Sequence, residues 1–236
     1  MYKKLGLSGN ALKIIACISM LFDHVGLMLL PNEIWLRCIG RIAFLIFAFL
    51  ISEGCRYTKN KLKYFLSILT LGAVCQIGFN SVYKDVIYLG VLLTFSLSII
   101  LIYLLEFIKK VFVNKSKLYL KILAPVSFIV AVLGCYFLTE KVTFDYGFMG
   151  VMLPVICSLF DFEGKSNLWV KKLLFVIGAV IHYFQGNLKE IIVYSLLSIP
   201  LVLLYNGKRG SKKLKYVFYV FYPAHILIIA GLNLII

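Results

Sequence analysis

The sequence predicts an all-α, polytopic integral membrane protein of about nine transmembrane helices, with its N-terminus in the cytoplasm and its C-terminus outside. Three observations lead there. Of 236 residues, 62% are hydrophobic and 15% charged, more apolar side chains than one soluble core of this length can hide. The apolar residues fall into runs of about 20, the length at which a helix crosses roughly 30 Å of hydrocarbon. The basic residues, 25 Lys and Arg against 10 Asp and Glu, gather in every second connection. A mean hydropathy of +0.96 excludes a disordered chain. The net charge of +15 suits cytoplasmic membrane loops, so the lipid bilayer and not nucleic acid is the expected surrounding.

In chain order the runs are 11–30, 36–55, 64–82, 86–107, 119–138, 146–161, 170–186, 189–205 and 215–235. The first, Ala11 to Leu30, is too long for a signal-peptide core and lacks a small-residue cleavage pattern after it, so it is expected to remain as the first helix. The sixth and seventh are short, and only a tight turn at Gln185-Gly186-Asn187 separates the seventh from the eighth. For these two, a full crossing and a re-entrant or interfacial segment both stay open.

Alternate connections decide the orientation. One side holds Lys3, Lys4 and Lys13, then Arg56, Lys59, Lys61 and Lys63, then Lys109, Lys110, Lys115, Lys117 and Lys121. The same side continues with Lys165, Lys171 and Lys172, and ends with Lys208, Arg209, Lys212, Lys213 and Lys215. It collects 20 of 25 basic residues and is therefore the cytoplasmic one. The other side has Lys84, Lys141 and Lys189 in loops, with Arg37 and Arg41 in the first turns of the second helix. No repeat, low-complexity tract or loop long enough for a soluble domain interrupts the pattern. Residues 1–236 therefore read as a single transmembrane domain of a multi-pass protein in the inner (cytoplasmic) cell membrane. The six cysteines (Cys17, Cys38, Cys55, Cys75, Cys135 and Cys157) lie in or beside apolar runs without C-x-x-C spacing, and read as small hydrophobes.

Ionisable groups near the bilayer centre cost on the order of 2.5 to 3.5 kcal/mol each, so the few present are functional candidates. Asp23 and His24 stand in the first run, and helical rise puts His24 about 20 Å from the cytoplasmic end, in the outer half. Lys13, eleven residues earlier, returns to within about 20° of the same face, so Lys13, Met20 and His24 share a stripe. Asp23 points about 100° away, toward a neighbouring helix or another wall of the same cavity. Arg37 and Arg41, one turn apart as the second run returns from outside, reach the same depth, and an arginine pair to Asp23 lowers the cost of burying both. Snorkelling to the outer interface is the plainer role for both, less so for Arg41, which is followed at once by five apolar residues.

His182 falls near the outer end of the seventh run, where a lone histidine reads first as a hydrogen-bonded structural residue. His225 follows Tyr222-Pro223 in mid-membrane, and proline there removes a helical hydrogen bond and opens the ninth helix. Asp145-Tyr146-Gly147, with Gly150 one turn on, starts the sixth run from outside, Asp145 being either its N-cap or a site residue. No metal-ligand set, Walker loop, dinucleotide fingerprint or serine nucleophile motif is present in the sequence. What these side chains suggest is a general base or a proton relay.

The chain resembles the TraX family, named for conjugal-transfer proteins that acetylate the N-terminus of pilin. The resemblance runs through Leu12-Lys13-Ile14-Ile15-Ala16, Met20, Asp23-His24, Gly40-Arg41-Ile42-Ala43-Phe44 and Glu53-Gly54. It continues at Asp145-Tyr146-Gly147 with Gly150, at Tyr205-Asn206-Gly207-Lys208-Arg209-Gly210 and at Phe221-Tyr222-Pro223-Ala224-His225. Leu45 departs from the proline expected in that pattern, which should alter the bend of the second helix more than the chemistry. More widely, Lys13-x10-His24 is similar to the basic-residue-to-histidine spacing of membrane acyltransferases that acetylate envelope molecules. The resemblance implies an acetyl-CoA-dependent acyltransferase, with cytoplasmic acetyl-CoA as donor and a peptide amine or glycan hydroxyl, reached from outside, as acceptor. His24 is then the base, because neutral imidazole suits proton abstraction near pH 7. Asp23 would orient an imidazole, that of His225 included, or neutralise Arg41, and Arg41 would donate to the thioester oxygen. Lys13, Arg56, Lys59, Lys208 and Arg209 form the expected donor-binding set, although the positive-inside rule alone accounts for such residues. Arg37, Asp145, Tyr146, His182 and Tyr222 form the acceptor-side set. A proton-coupled transporter or permease, using Asp23, His24, Arg41 and His225 as a relay, and a non-catalytic partner of an export apparatus are the rival readings.

Overall fold

A computed structural model describes residues 6–82, 88–114, 116–162, 165–185, 189–211 and 214–235. Lys3, Lys4, Lys84, Lys115, Lys212, Lys213 and the turn residues Gly186 and Asn187 lie outside the described residues. Helices α1 (Gly9–Met28), α2 (Ile34–Tyr57), α3 (Lys61–Val82), α4 (Val91–Val113) and α5 (Leu118–Lys141) are followed by a short α6 (Gly147–Cys157) and by α7 (Leu168–Gln185). Next comes a segment in three pieces, α8 (Lys189–Ile192), a 3₁₀ turn (Val193–Leu197) and α9 (Ser198–Leu203), before α10 (Leu214–Asn233). Among the described residues seven helices, α1 to α5, α7 and α10, are long and apolar enough to cross a membrane, and the chain is a multi-pass membrane protein.

The seventh predicted crossing, expected to be short, is an 18-residue helix of spanning length. The sixth is an 11-residue helix, about 16 Å long, and the eighth is the broken segment, so neither is a single full-length helix. The expectation of helix alone also needs correcting: β1 (Tyr88–Leu89) pairs in parallel with β2 (Thr143–Phe144). Two-residue strands are too short to leave any alternating pattern in the sequence.

Helix α2 lies at the centre, with Leu45, Ile46, Ala48 and Phe49 wholly buried, and it runs unbroken past Leu45. It packs tightly on α1 because Gly40 has no side chain, a Cβ there lying 2.3 Å from the Cβ of Asp23. Ser19 locks the pair by donating to the Ile39 carbonyl at 2.6 Å. Helix α5 is the opposite case, burying only Ala124 and Cys135, as a peripheral helix facing lipid does.

The two ends of the bundle differ. At one end Tyr205 to Gly210 clasp the start of α1: the N–H groups of Gly9 and Asn10 donate to the carbonyls of Lys208 and Arg209, at 2.8 and 3.0 Å. Gly210 makes that clasp at φ 88°, against Asn10. Lys61–Glu106 and Arg56–Glu53 pairs lie at this end as well. At the other end the Asn233 amide donates to the Met28 carbonyl, joining the last turns of α10 and α1. Helix ends alternate between these two sites along the chain.

Candidate active site

His24 on α1 and His225 on α10 meet. Their rings lie 5.0 Å apart, with His24 Nδ1 2.8 Å from His225 Nε2. Nδ1 of His225 is 2.8 Å from the Phe221 carbonyl oxygen, which can only accept, so His225 carries its proton on Nδ1. With both rings neutral, His225 Nε2 then accepts from His24 Nδ1–H, and the lone pair of His24 is left on Nε2. The order of donors thus points one basic nitrogen away from the pair. Helix α10 continues through Pro223 rather than opening there, and the side chain of His225 takes up the Phe221 carbonyl within it.

Asp23 faces away from both imidazoles. Its carboxylate lies 2.9 Å from Arg37 and 3.4 Å from Arg41, so of its two expected roles the structure shows charge neutralisation, not orientation of a ring. Arg37 also donates to the Asp23 backbone carbonyl at 3.1 Å. Two guanidiniums share this one carboxylate, and the Arg41 Nε is buried without a hydrogen-bond partner among the described residues. Because Arg37 sits closer, exchanging Asp23 for Asn should couple more strongly to Arg37→Gln than to Arg41→Gln in a double-mutant cycle read by thermal melts. Additivity of all three changes would remove the cluster as an energetic unit.

Arg41 also donates to the Tyr146 hydroxyl at 3.4 Å, and Tyr146 stacks on Phe44 at 3.6 Å between centroids. Tyr146 adopts φ 63°, a left-handed conformation costly for a residue with a Cβ. The parallel strands hold this turn, Asp145 N–H donating to the Leu89 carbonyl and Thr94 Oγ1 to that of Asp145. Tyr146, not Asp145, is the N-cap position of α6. Burial raises the Asp145 carboxyl to about 6, against the pull of Arg41 and of a Tyr88 hydrogen bond. His182 is buried beside this stack, 5.1 Å from Phe44 and 5.8 Å from Tyr146.

A cavity of about 230 Å³ enters the bundle from its basic end. Lys13, Tyr57 and Arg209 line it near the basic ends of their segments, Leu92 and Phe95 near the start of α4, and Phe47, Tyr64, Ile68 and Tyr222 elsewhere in its wall. Tyr222 makes an edge contact with His225 at 5.7 Å, so a residue of the cavity lining touches the histidine pair. Of the expected donor-binding set, Lys13 and Arg209 line it. Lys59 and Lys208 are exposed outside it, and Arg56 is held by Glu53 at 2.8 Å with its guanidinium over the Tyr57 ring. Arg41 is turned to Asp23 and Tyr146 rather than into the cavity.

Beside the mouth is a buried ion cluster that counting loop charges overlooks. Lys171, which the charge count assigns to the cytoplasmic side, lies inside α7 at 2% exposure, 2.9 Å from Glu53 and 2.5 Å from Asp161. Tyr205 donates to Glu53 at 2.9 Å. Lys172 is likewise buried, donating to the Leu203 carbonyl at 2.6 Å. The signal available in the sequence was Glu53, a carboxylate inside an apolar run with no compensating charge on its own helix face except Arg56.

Residues 8–233 match the family described as TraX protein. The chain belongs to the TraX family. Another protein similar to it is "Probable fimbrial assembly protein FimC, serogroup H1" of Dichelobacter nodosus, 25% identical over 98% of both chains. An uncharacterized protein of Rickettsia prowazekii (strain Madrid E) is 33% identical over 40% of this chain and 36% of its own. No solved structure matches. The TraX match spans both the histidine pair and the arginine cluster, so all the site residues above fall inside the family's extent.

Proposed function

We propose that this TraX protein is a membrane-embedded acyltransferase, related to the membrane acyltransferases that modify envelope molecules, which moves an acetyl group from acetyl-CoA to an acceptor reached from the other face. The observation that carries this reading is the contact between His24 and His225, joined through the edge-on ring of Tyr222 to the lining of a cavity that also holds Lys13 and Arg209. Acetyl-CoA comes from the cytoplasm, its phosphates at Lys13 and Arg209 and its acyl arm along the apolar walls. An acceptor amine, activated as His24 Nε2 takes its proton, attacks the thioester carbon. The C–N bond forms, the C–S bond breaks, and the departing CoA sulfur recovers the proton. Fimbrial assembly in the name of the D. nodosus relative favours a pilin-like protein N-terminus over a glycan hydroxyl as acceptor.

The protein lies in the inner (cytoplasmic) membrane with nine crossings, the short α6 and the broken α8–α9 segment completing the alternation. In cysteine-free protein, single cysteines at Asn114 and Asn206 should be shielded from an impermeant thiol reagent in intact cells, and one at Asn32 labelled. The reverse pattern would invert the orientation and detach the donor from the cavity mouth. The function itself is tested on full-length protein in nanodiscs, by calorimetry with acetyl-CoA and by transfer to a peptide with a free N-terminal amine. Binding with transfer is expected. Absence of both would move the Asp23, His24, Arg41 and His225 set to the proton-coupled permease reading.

A further inference from the structure

The wall of the cavity contains one buried hydroxyl that the fold leaves idle. Tyr222 is 7% exposed, it lines the cavity, and its hydroxyl oxygen is buried with no hydrogen-bond partner among the described residues. Other tyrosines of the same wall are occupied: Tyr57 donates to the Gly207 carbonyl at 3.0 Å and Tyr205 to Glu53 at 2.9 Å. The Tyr222 ring is held between Phe47 at 5.8 Å and His225 at 5.7 Å, so the hydroxyl is positioned by packing alone. Leaving a buried hydroxyl unpaired is costly, and such a group in a native structure calls for a ligand or a functional reason.

We propose that the Tyr222 hydroxyl is the oxyanion donor of the site, hydrogen-bonding the carbonyl oxygen of an acyl thioester seated in the cavity. The inference rests on the acyltransferase reading and adds to it a catalytic residue. A thioester oxygen only accepts, and a phenol hydroxyl is a donor with no competing partner here. Tyr222 lines the cavity and lies one helical turn before His225, whose ring it meets edge-on at 5.7 Å, so one side chain joins the cavity lining to the histidine pair. As the acceptor nitrogen attacks, the carbonyl π electrons move onto oxygen and the Tyr222 O–H shortens its hydrogen bond without giving up its proton. Collapse returns those electrons and expels the sulfur. Arg41, engaged with Asp23 and Tyr146, does not supply this contact.

Tyr222→Phe keeps the ring and removes only the hydroxyl. In nanodisc-held full-length protein it should bind acetyl-CoA with a Kd within about twofold of the parent, melt at the same temperature, and lose about 10² to 10³ in kcat. The pH profile of the residual activity should be unchanged, because the base is intact. Turnover within about threefold of the parent, while His24→Ala is inactive, would overturn the assignment and leave the acyltransferase reading standing. A loss in kcat matched by an equal loss in melting temperature or donor affinity would also overturn it, since a packing role alone produces that pattern. Absence of transfer by the parent protein itself would end both.

Discussion

Replacing His24 with Ala should give a folded protein that still binds acetyl-CoA but turns over about 10² to 10⁴ times more slowly. The donor's affinity is expected from its nucleotide and phosphates at Lys13 and Arg209, which the substitution does not touch. What disappears is the nitrogen that takes the acceptor proton, and that interaction belongs to the transition state. Raising donor concentration should therefore not restore the rate. His225→Ala should be milder, because it removes the acceptor of the His24 Nδ1–H bond at 2.8 Å and frees the tautomer without deleting the base. Near-normal turnover by His24→Ala, with His225→Ala inactive and folded, would transfer the base to His225.

The second large effect is on stability. Lys171→Met should destabilise the protein by about 3–5 kcal/mol, the cost of leaving a buried charge without its counter-ion. Both Glu53 and Asp161 lose their ammonium partner, and all three side chains are almost fully enclosed. Adding Glu53→Gln to Lys171→Met should cost less than the two single changes summed, since each removes the other's reason to be charged. Denaturant or thermal unfolding in a fixed detergent measures this. A loss under about 1 kcal/mol, the range of an exposed pair, would mean that water reaches the cluster.

Depth was legible in the sequence and azimuth was not. Helical rise placed Asp23, Arg37 and Arg41 at one level, and they meet there, because rise per residue is fixed by the backbone. Which side chain each one faces depends on how helices rotate against their neighbours, and one sequence carries no record of that. Hence Asp23 was open to an imidazole or a guanidinium, and the His24–His225 contact was not foreseeable from two residues 201 positions apart. Lys171 was counted with the cytoplasmic charges because a basic residue in the first turn of an apolar run looks the same whether it snorkels or turns inward. The left-handed Tyr146 turn was hidden for another reason. Gly147 announces a turn, but nothing local says that the tyrosine before it bears the strain.

The contact between His24 and His225 also orders events during synthesis. At about 5–20 residues per second, the ribosome needs roughly 10 to 40 s to make the chain between them. Throughout that interval α1 is in the membrane with Asp23 already able to find Arg37 and Arg41, which follow within seconds. The imidazole pair, however, is incomplete until α10 arrives with His225. A nascent or truncated chain therefore carries the arginine cluster without the paired imidazoles. Closure of the bundle and pairing of the two histidines become the same step.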